Sequence, residues 1–153
     1  MKDKTIRKIR LCLYTAIVLC SIWLLLMVIH FVQIFCGYEN IDWSDSGLVK
    51  IGLIVLYILS EVVSVYLCYK IVLNIFRGLR ANTVFPKSNI RLFLWLALAF
   101  CIYLLCRTNE SILYDAATFR LLLDDFLIPF CILFFAFMYK VAADAVEENN
   151  LTI

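Results

Sequence analysis

Long apolar runs separated by short clusters of charge divide the chain into four segments, residues 11–35, 48–69, 90–106 and 126–143. A helix that crosses the hydrocarbon of a bilayer needs about 20 apolar residues, with a usual range of about 17–25. The third segment is at the short limit, but Arg91 and Arg107 flank it and their long stems reach the interfaces. No run shows the alternation of a barrel strand, and backbone groups in lipid must be paired locally, so each segment is predicted to be helical. Pro129 stands near the start of the fourth run, where a first-turn proline loses no intrahelical bond. The predicted fold is all-α: a single transmembrane domain over 1–153, built as a polytopic bundle of four helices.

The connectors orient the bundle. The N-terminal tail carries Lys2, Lys4, Arg7, Lys8 and Arg10, and the middle loop carries Lys70, Arg77, Arg80, Lys87 and Arg91 with no acid. The first connector instead holds Glu39, Asp42 and Asp45, and the third holds Glu110, Asp115, Asp124 and Asp125 against Arg107 and Arg120. Basic segments stay cytoplasmic, so both termini are expected in the cytoplasm, with Tyr38 and Trp43 in an outer interface belt. Past Tyr69, the apolar residues Val72, Ile75, Phe76 and Leu79 recur at helical spacing opposite Lys70, Asn74 and Arg77. This predicts an amphipathic cytoplasmic extension of the second helix along the inner leaflet, loosened at Gly78 and Asn82 and ended before Pro86. Its basic stripe suits anionic headgroups or a cytoplasmic partner.

Composition agrees. Of 153 residues, 65% are hydrophobic and 17% charged, and mean hydropathy is +0.95. A soluble domain is about 45–50% apolar, and so small a protein has too little interior to hide the excess. The first run is too long for a signal-peptide core and lacks a small-residue cleavage site, so it reads as a retained span. None of the seven cysteines forms a C-x-x-C pair; most read as small hydrophobes, and only Cys36 and Cys106 fall near the outer ends of spans, where they could pair.

Glu61 is the residue most out of place, because a carboxylate inside a span is expensive and usually faces a partner, water or the bundle interior. Counting helical rise from the outer ends places Glu61, Lys140, Tyr139 and Ser21 in one layer, with Ser60 and Ser64 beside Glu61 to take leftover hydrogen bonds. A structural Glu61–Lys140 ion pair is the plain expectation, a Lys140 that simply snorkels to the inner interface beside a neutral Glu61 is the next, and an ion, proton or ligand site is the sharpest. His30 and Gln33, one turn apart, could meet a headgroup or an outer-loop carboxylate. The acids Asp42, Asp45, Asp124 and Asp125 match no calcium loop, and a lone histidine makes a poor metal site. Phosphate-cradling glycine loops, G-x-S-x-G and H-E-x-x-H are absent. No cofactor or enzymatic activity is expected.

Three features carry a family resemblance: Phe76-Arg77-Gly78 followed by Val84-Phe85 and Asn89-Ile90-Arg91-Leu92; a last span entered from acids; and the ending Glu147-Glu148-Asn149-Asn150-Leu151-Thr152-Ile153. Together these resemble the bacterial family called domain of unknown function 2975, although Asn150 stands where that family commonly has Asp. The resemblance implies a small four-span protein of the bacterial inner membrane with no assigned activity. Genes of such proteins often lie beside a helix-turn-helix regulator of the Xre/Cro type. The expectation that follows is sensing or regulation through a cytoplasmic surface of Lys70, Arg77, Arg80, Lys87, Arg91, Glu147 and Glu148. The loop and tail carry opposite charge and could equally pair with each other. The expected partners are the lipid bilayer, a cytoplasmic helix-turn-helix regulator and a second copy in a homodimer, without direct nucleic-acid binding. The alternative is a small transporter or membrane-embedded ligand- or ion-binding protein built on Glu61 and Lys140.

Overall fold

A computed structural model describes residues 3–36, 47–80, 85–114 and 118–151. They form four α-helices, α1 (Asp3–Cys36), α2 (Gly47–Arg80), α3 (Ser88–Thr108) and α4 (Asp124–Leu151), with a short 3-10 helix (Glu110–Tyr114) after α3. All four are long and apolar enough to cross a membrane. Their outer faces are greasy almost all round: Leu25 is 61% exposed, Phe130 68% and Phe137 64%. Water would oppose exposing so many large apolar side chains, whereas lipid tails are as apolar as they are.

The helices pack mainly on their sequence neighbours, α1 on α2, α2 on α3 and α3 on α4. Two small cores hold them. Ile34, Tyr57, Tyr103 and Cys106 join α1, α2 and α3 towards the end where α1 finishes and α2 begins, called here the acidic-loop end. Leu67, Ile71 and Leu96 join α2 to α3 nearer the opposite, basic-loop end, with Ile132 of α4 packed against them. The α2–α3 hairpin is therefore the spine, and α1 and α4 lean on it. Antiparallel pairs mark the register of α1 on α2: Tyr14 with Phe76, Ser21 with Tyr69, Trp23 with Glu61, and His30 with Tyr57.

Several sequence expectations need correction. Helices α1 and α2 have 34 residues each, about 50 Å of helix against a hydrocarbon core of about 30 Å. Helix α2 continues over residues 69–80 as the expected extension does, but Gly78 does not loosen it and lies buried within the helix, while Asn82 lies outside the described residues. Asn74 leaves the basic stripe and turns inward to Asn89. Pro129 lies inside α4 rather than in its first turn, because the helix begins two residues earlier than the apolar run. Its missing N–H leaves the carbonyl of Asp125 without the usual donor four residues on.

All seven cysteines are free thiols, with Cys36 exposed and Cys106 buried, so the suggested Cys36–Cys106 link is not formed. The thiols that meet are Cys20 of α1 and Cys68 of α2, in hydrogen-bond contact. Iodine oxidation of the detergent-solubilised protein is expected to join them, two thiols losing two hydrogens while iodine is reduced to iodide. Peptide mass spectrometry should find that crosslink, and Cys20→Ser should remove it; a Cys36–Cys106 crosslink in its place would contradict this packing of α1.

Candidate functional site

The expected layer of Glu61, Lys140, Tyr139 and Ser21 does not assemble. Tyr139 sits at the basic-loop end, where the Asn89 amide donates to its hydroxyl at 3.3 Å and Phe85 and Phe93 pack on its ring. Asn89 is tied to Asn74 of α2, which lies thirteen residues from Glu61, about 20 Å along the helix. Lys140, next to Tyr139, is exposed and pairs with no acid among the described residues. Ser21 meets Tyr69, two turns along α2 from Glu61. Equal counts from the helix starts misled because those starts are not level. Thr108 at the end of α3 bonds Asp125 at the start of α4, whereas α2 begins ten residues before Tyr57, which packs near that same end of α3. Ser60 and Ser64 do not serve Glu61 either; their hydroxyls donate to the carbonyls of Tyr57 and Ser60.

Glu61 instead belongs to a polar group between α1, α2 and α3. It is 4% exposed. The Trp23 indole N–H donates to its Oε1 at 3.2 Å, while its Oε2 is buried without any hydrogen-bond partner. Above it, towards the acidic-loop end, the Tyr57 hydroxyl lies 3.2 Å from His30 Nε2, and the same nitrogen is 3.9 Å from the Glu110 carboxylate. The carboxylate that His30 meets is thus Glu110, in the 3-10 helix after α3. The Tyr103 hydroxyl is within hydrogen-bond reach of Tyr57 and of Arg107, which is exposed in the last turn of α3. Trp23, His30, Tyr57, Glu61, Tyr103 and Arg107 line a cavity of about 300 Å³. Its floor is a carboxylate walled by Trp23, Tyr57 and Tyr103; a guanidinium stands at its open side.

Sequence reasoning found Glu61 and His30 but passed over Trp23, Tyr57, Tyr103 and Arg107. A signal was present. Trp23 and His30 are seven apart, Tyr57 and Glu61 four apart, and Tyr103 and Arg107 four apart, spacings that put each pair on one helix face. Three helices thus each bear a polar–aromatic stripe near the same end.

At the other end, the middle loop and the C-terminal part of α4 pair with each other. Lys87 Nζ is 3.2 Å from Asp144 and donates to Glu147. These carboxylates, Glu147 first, hold the Lys87 ammonium above its ordinary pKa. Lys70 is exposed with its ammonium 5.5 Å from the Tyr66 ring centre, Arg77 and Arg91 are exposed, and Glu148 is exposed with an interaction of its own. The Arg80 side chain lies outside the described residues, as do Tyr38, Asp42, Trp43, Asp45 and the side chains of 149–153. Of the acids weighed for a cation, Asp125 is structural: it is buried, Thr108 donates to its Oδ1 and the Leu122 N–H to its Oδ2. No family model, curated protein or solved structure matches the chain.

Proposed function

We propose that this chain is a non-enzymatic, multi-pass protein of the bacterial cytoplasmic membrane, with both termini in the cytoplasm, that binds a small ligand in the Glu61 cavity and acts as a membrane-embedded receptor. The unpartnered Oε2 of Glu61 carries this reading. A buried polar atom costs stability unless it is paired, the more so for an ionisable group. Among the described residues it is the one buried side-chain oxygen or nitrogen without a partner, and its side chain is one of those that line the cavity. A group kept at such a cost inside a span is a functional candidate by default. The excess of Lys and Arg in the tail and middle loop supports an orientation with the cavity mouth facing outward. The resemblance to the domain of unknown function 2975 family supports the same cellular placement.

The other reading gives the function to the cytoplasmic face, where Lys70, Arg77 and Arg91 with the tail would hold a helix-turn-helix regulator. Part of that surface is already engaged, because Lys87 binds Asp144 and Glu147. The exposed cations that remain, with Arg7, Lys8 and Arg10 on α1, suit anionic headgroups.

Two equally buried acids provide the test. Glu61 has one free oxygen on a cavity; Asp125 is 5% exposed with both oxygens bonded. Treating the folded protein with a water-soluble carbodiimide and glycine methyl ester should modify Glu61 and spare Asp125, as read by peptide mass spectrometry. If Glu61 is spared as completely as Asp125, the cavity is closed to solutes and the receptor reading fails.

A further inference from the structure

Resting on that reading, we propose that the ligand is a small zwitterion, held with its ammonium against Glu61 at the cavity floor and its anionic group against Arg107 at the mouth. Both ends of the cavity carry charge of opposite sign, and this selects the class. A purely anionic ligand long enough to reach the floor would meet the Glu61 carboxylate there. A purely cationic one would pass the Arg107 guanidinium and leave it unmatched. A neutral ligand would leave the buried Glu61 carboxylate without a cationic partner, and a buried charge demands pairing.

The orientation follows from burial. Glu61 is 4% exposed, whereas Arg107 is exposed in the last turn of α3. The ammonium therefore enters first. Its donors meet Oε2, since Oε1 already accepts from Trp23. Trp23, Tyr57 and Tyr103 give this end aromatic walls, which attract an organic ammonium. Such walls do little for a hydrated metal ion, which wants several oxygen ligands. Glu110 does not compete for the ammonium at the floor, because it is not one of the residues that line the cavity and lies on the far side of the His30 contact, 3.9 Å from Nε2. A volume of about 300 Å³ is at the small end of the range of ligand sites, about 300–1,000 Å³. That size suits a free amino acid or the ethanolamine phosphate headgroup of a phospholipid entering from the outer leaflet. The two share one chemistry, an ammonium a few bonds from an anion.

The experiment is calorimetric binding to the full chain in nanodiscs of phosphatidylglycerol, with L-alanine and ethanolamine phosphate as zwitterions and ethylammonium and acetate as single-charge controls. At least one zwitterion should bind about tenfold or more tightly than either control, the expected scale for one charge-assisted hydrogen bond in a buried site. Glu61→Gln and Arg107→Gln should each remove that preference, and Glu61→Asp and Arg107→Lys should keep part of it. Thermal unfolding of each variant checks that it is folded. Repeating the titration in nanodiscs containing phosphatidylethanolamine separates the sources: a headgroup ligand already in the site blocks the soluble zwitterion, and a free amino acid binds unchanged. Binding of ethylammonium as tight as that of the zwitterions, survival of the preference in Glu61→Gln, or no binding by any probe overturns the assignment. If carbodiimide still modifies Glu61 in that event, the cavity remains a site and only the ligand class is wrong.

Discussion

Asn89→Ala is expected to lower the unfolding temperature in detergent by about 4–8 °C, more than any other single polar-to-alanine change between the helices. Asn89 is fully buried at the first turn of α3 and joins three helices. Its Oδ1 accepts from the Asn74 amide of α2 at 2.9 Å, and its Nδ2 donates to the Ile71 carbonyl and the Tyr139 hydroxyl of α4, both at 3.3 Å. Interhelical hydrogen bonds in membranes average about 0.6 kcal/mol and reach about 1.7. Three such bonds, plus the cavity left by the smaller side chain, come to roughly 2 kcal/mol, which gives the stated shift for a chain of this length. Tyr139→Phe removes only one of the three bonds and should cost about a third as much. Equal losses in the two variants would mean that the bonds of Asn89 to Asn74 and to the Ile71 carbonyl contribute nothing.

Asn109→Ala should act locally rather than globally. Asn109 caps α3 and is 1% exposed. Its Nδ2 donates to the carbonyls of Leu105 and Arg120 at 2.8 and 2.9 Å, and its Oδ1 accepts the Arg120 N–H at 2.7 Å. One side chain thus straps the non-helical stretch before α4 to the end of α3. Alanine would leave both backbone groups of Arg120 without these partners, a loss of about 2 kcal/mol in holding that stretch closed. Trypsin cleavage after Arg120 should accelerate about thirtyfold if opening is fast relative to cleavage. Asn109→Asp keeps the acceptor and loses both donors, so its rate should fall between the two. A cleavage rate unchanged in Asn109→Ala would show that the stretch is held by something else.

Much of this was legible in the amino-acid order, because lipid imposes a simple rule on it. A run of apolar residues long enough to cross hydrocarbon must pair its own backbone, so four helices followed from lengths alone. Glu61 was legible for the same reason: a carboxylate in such a run stands out against its neighbours. Helix ends were less so. The apolar runs mark where lipid is tolerated, whereas the helices continue through polar residues, as α1 does back to Asp3 and α4 on to Leu151.

The partners of each polar residue were not legible. Measured from its own terminus, Lys140 comes level with Glu61, yet its neighbour Tyr139 belongs with Asn89 and Asn74, about 20 Å along α2 from that acid. Depth within one helix is a local quantity, set at about 1.5 Å per residue. Its relation to another helix depends on stagger, which side-chain packing along the α2–α3 hairpin and the Thr108–Asp125 contact decide together. Sequence alone therefore determined that this chain consists of four helices long and apolar enough to cross lipid, with one costly acid among them. Only the tertiary structure decided that this acid meets tryptophan, tyrosine and arginine rather than lysine, because stagger between helices arises from contacts that no single segment contains.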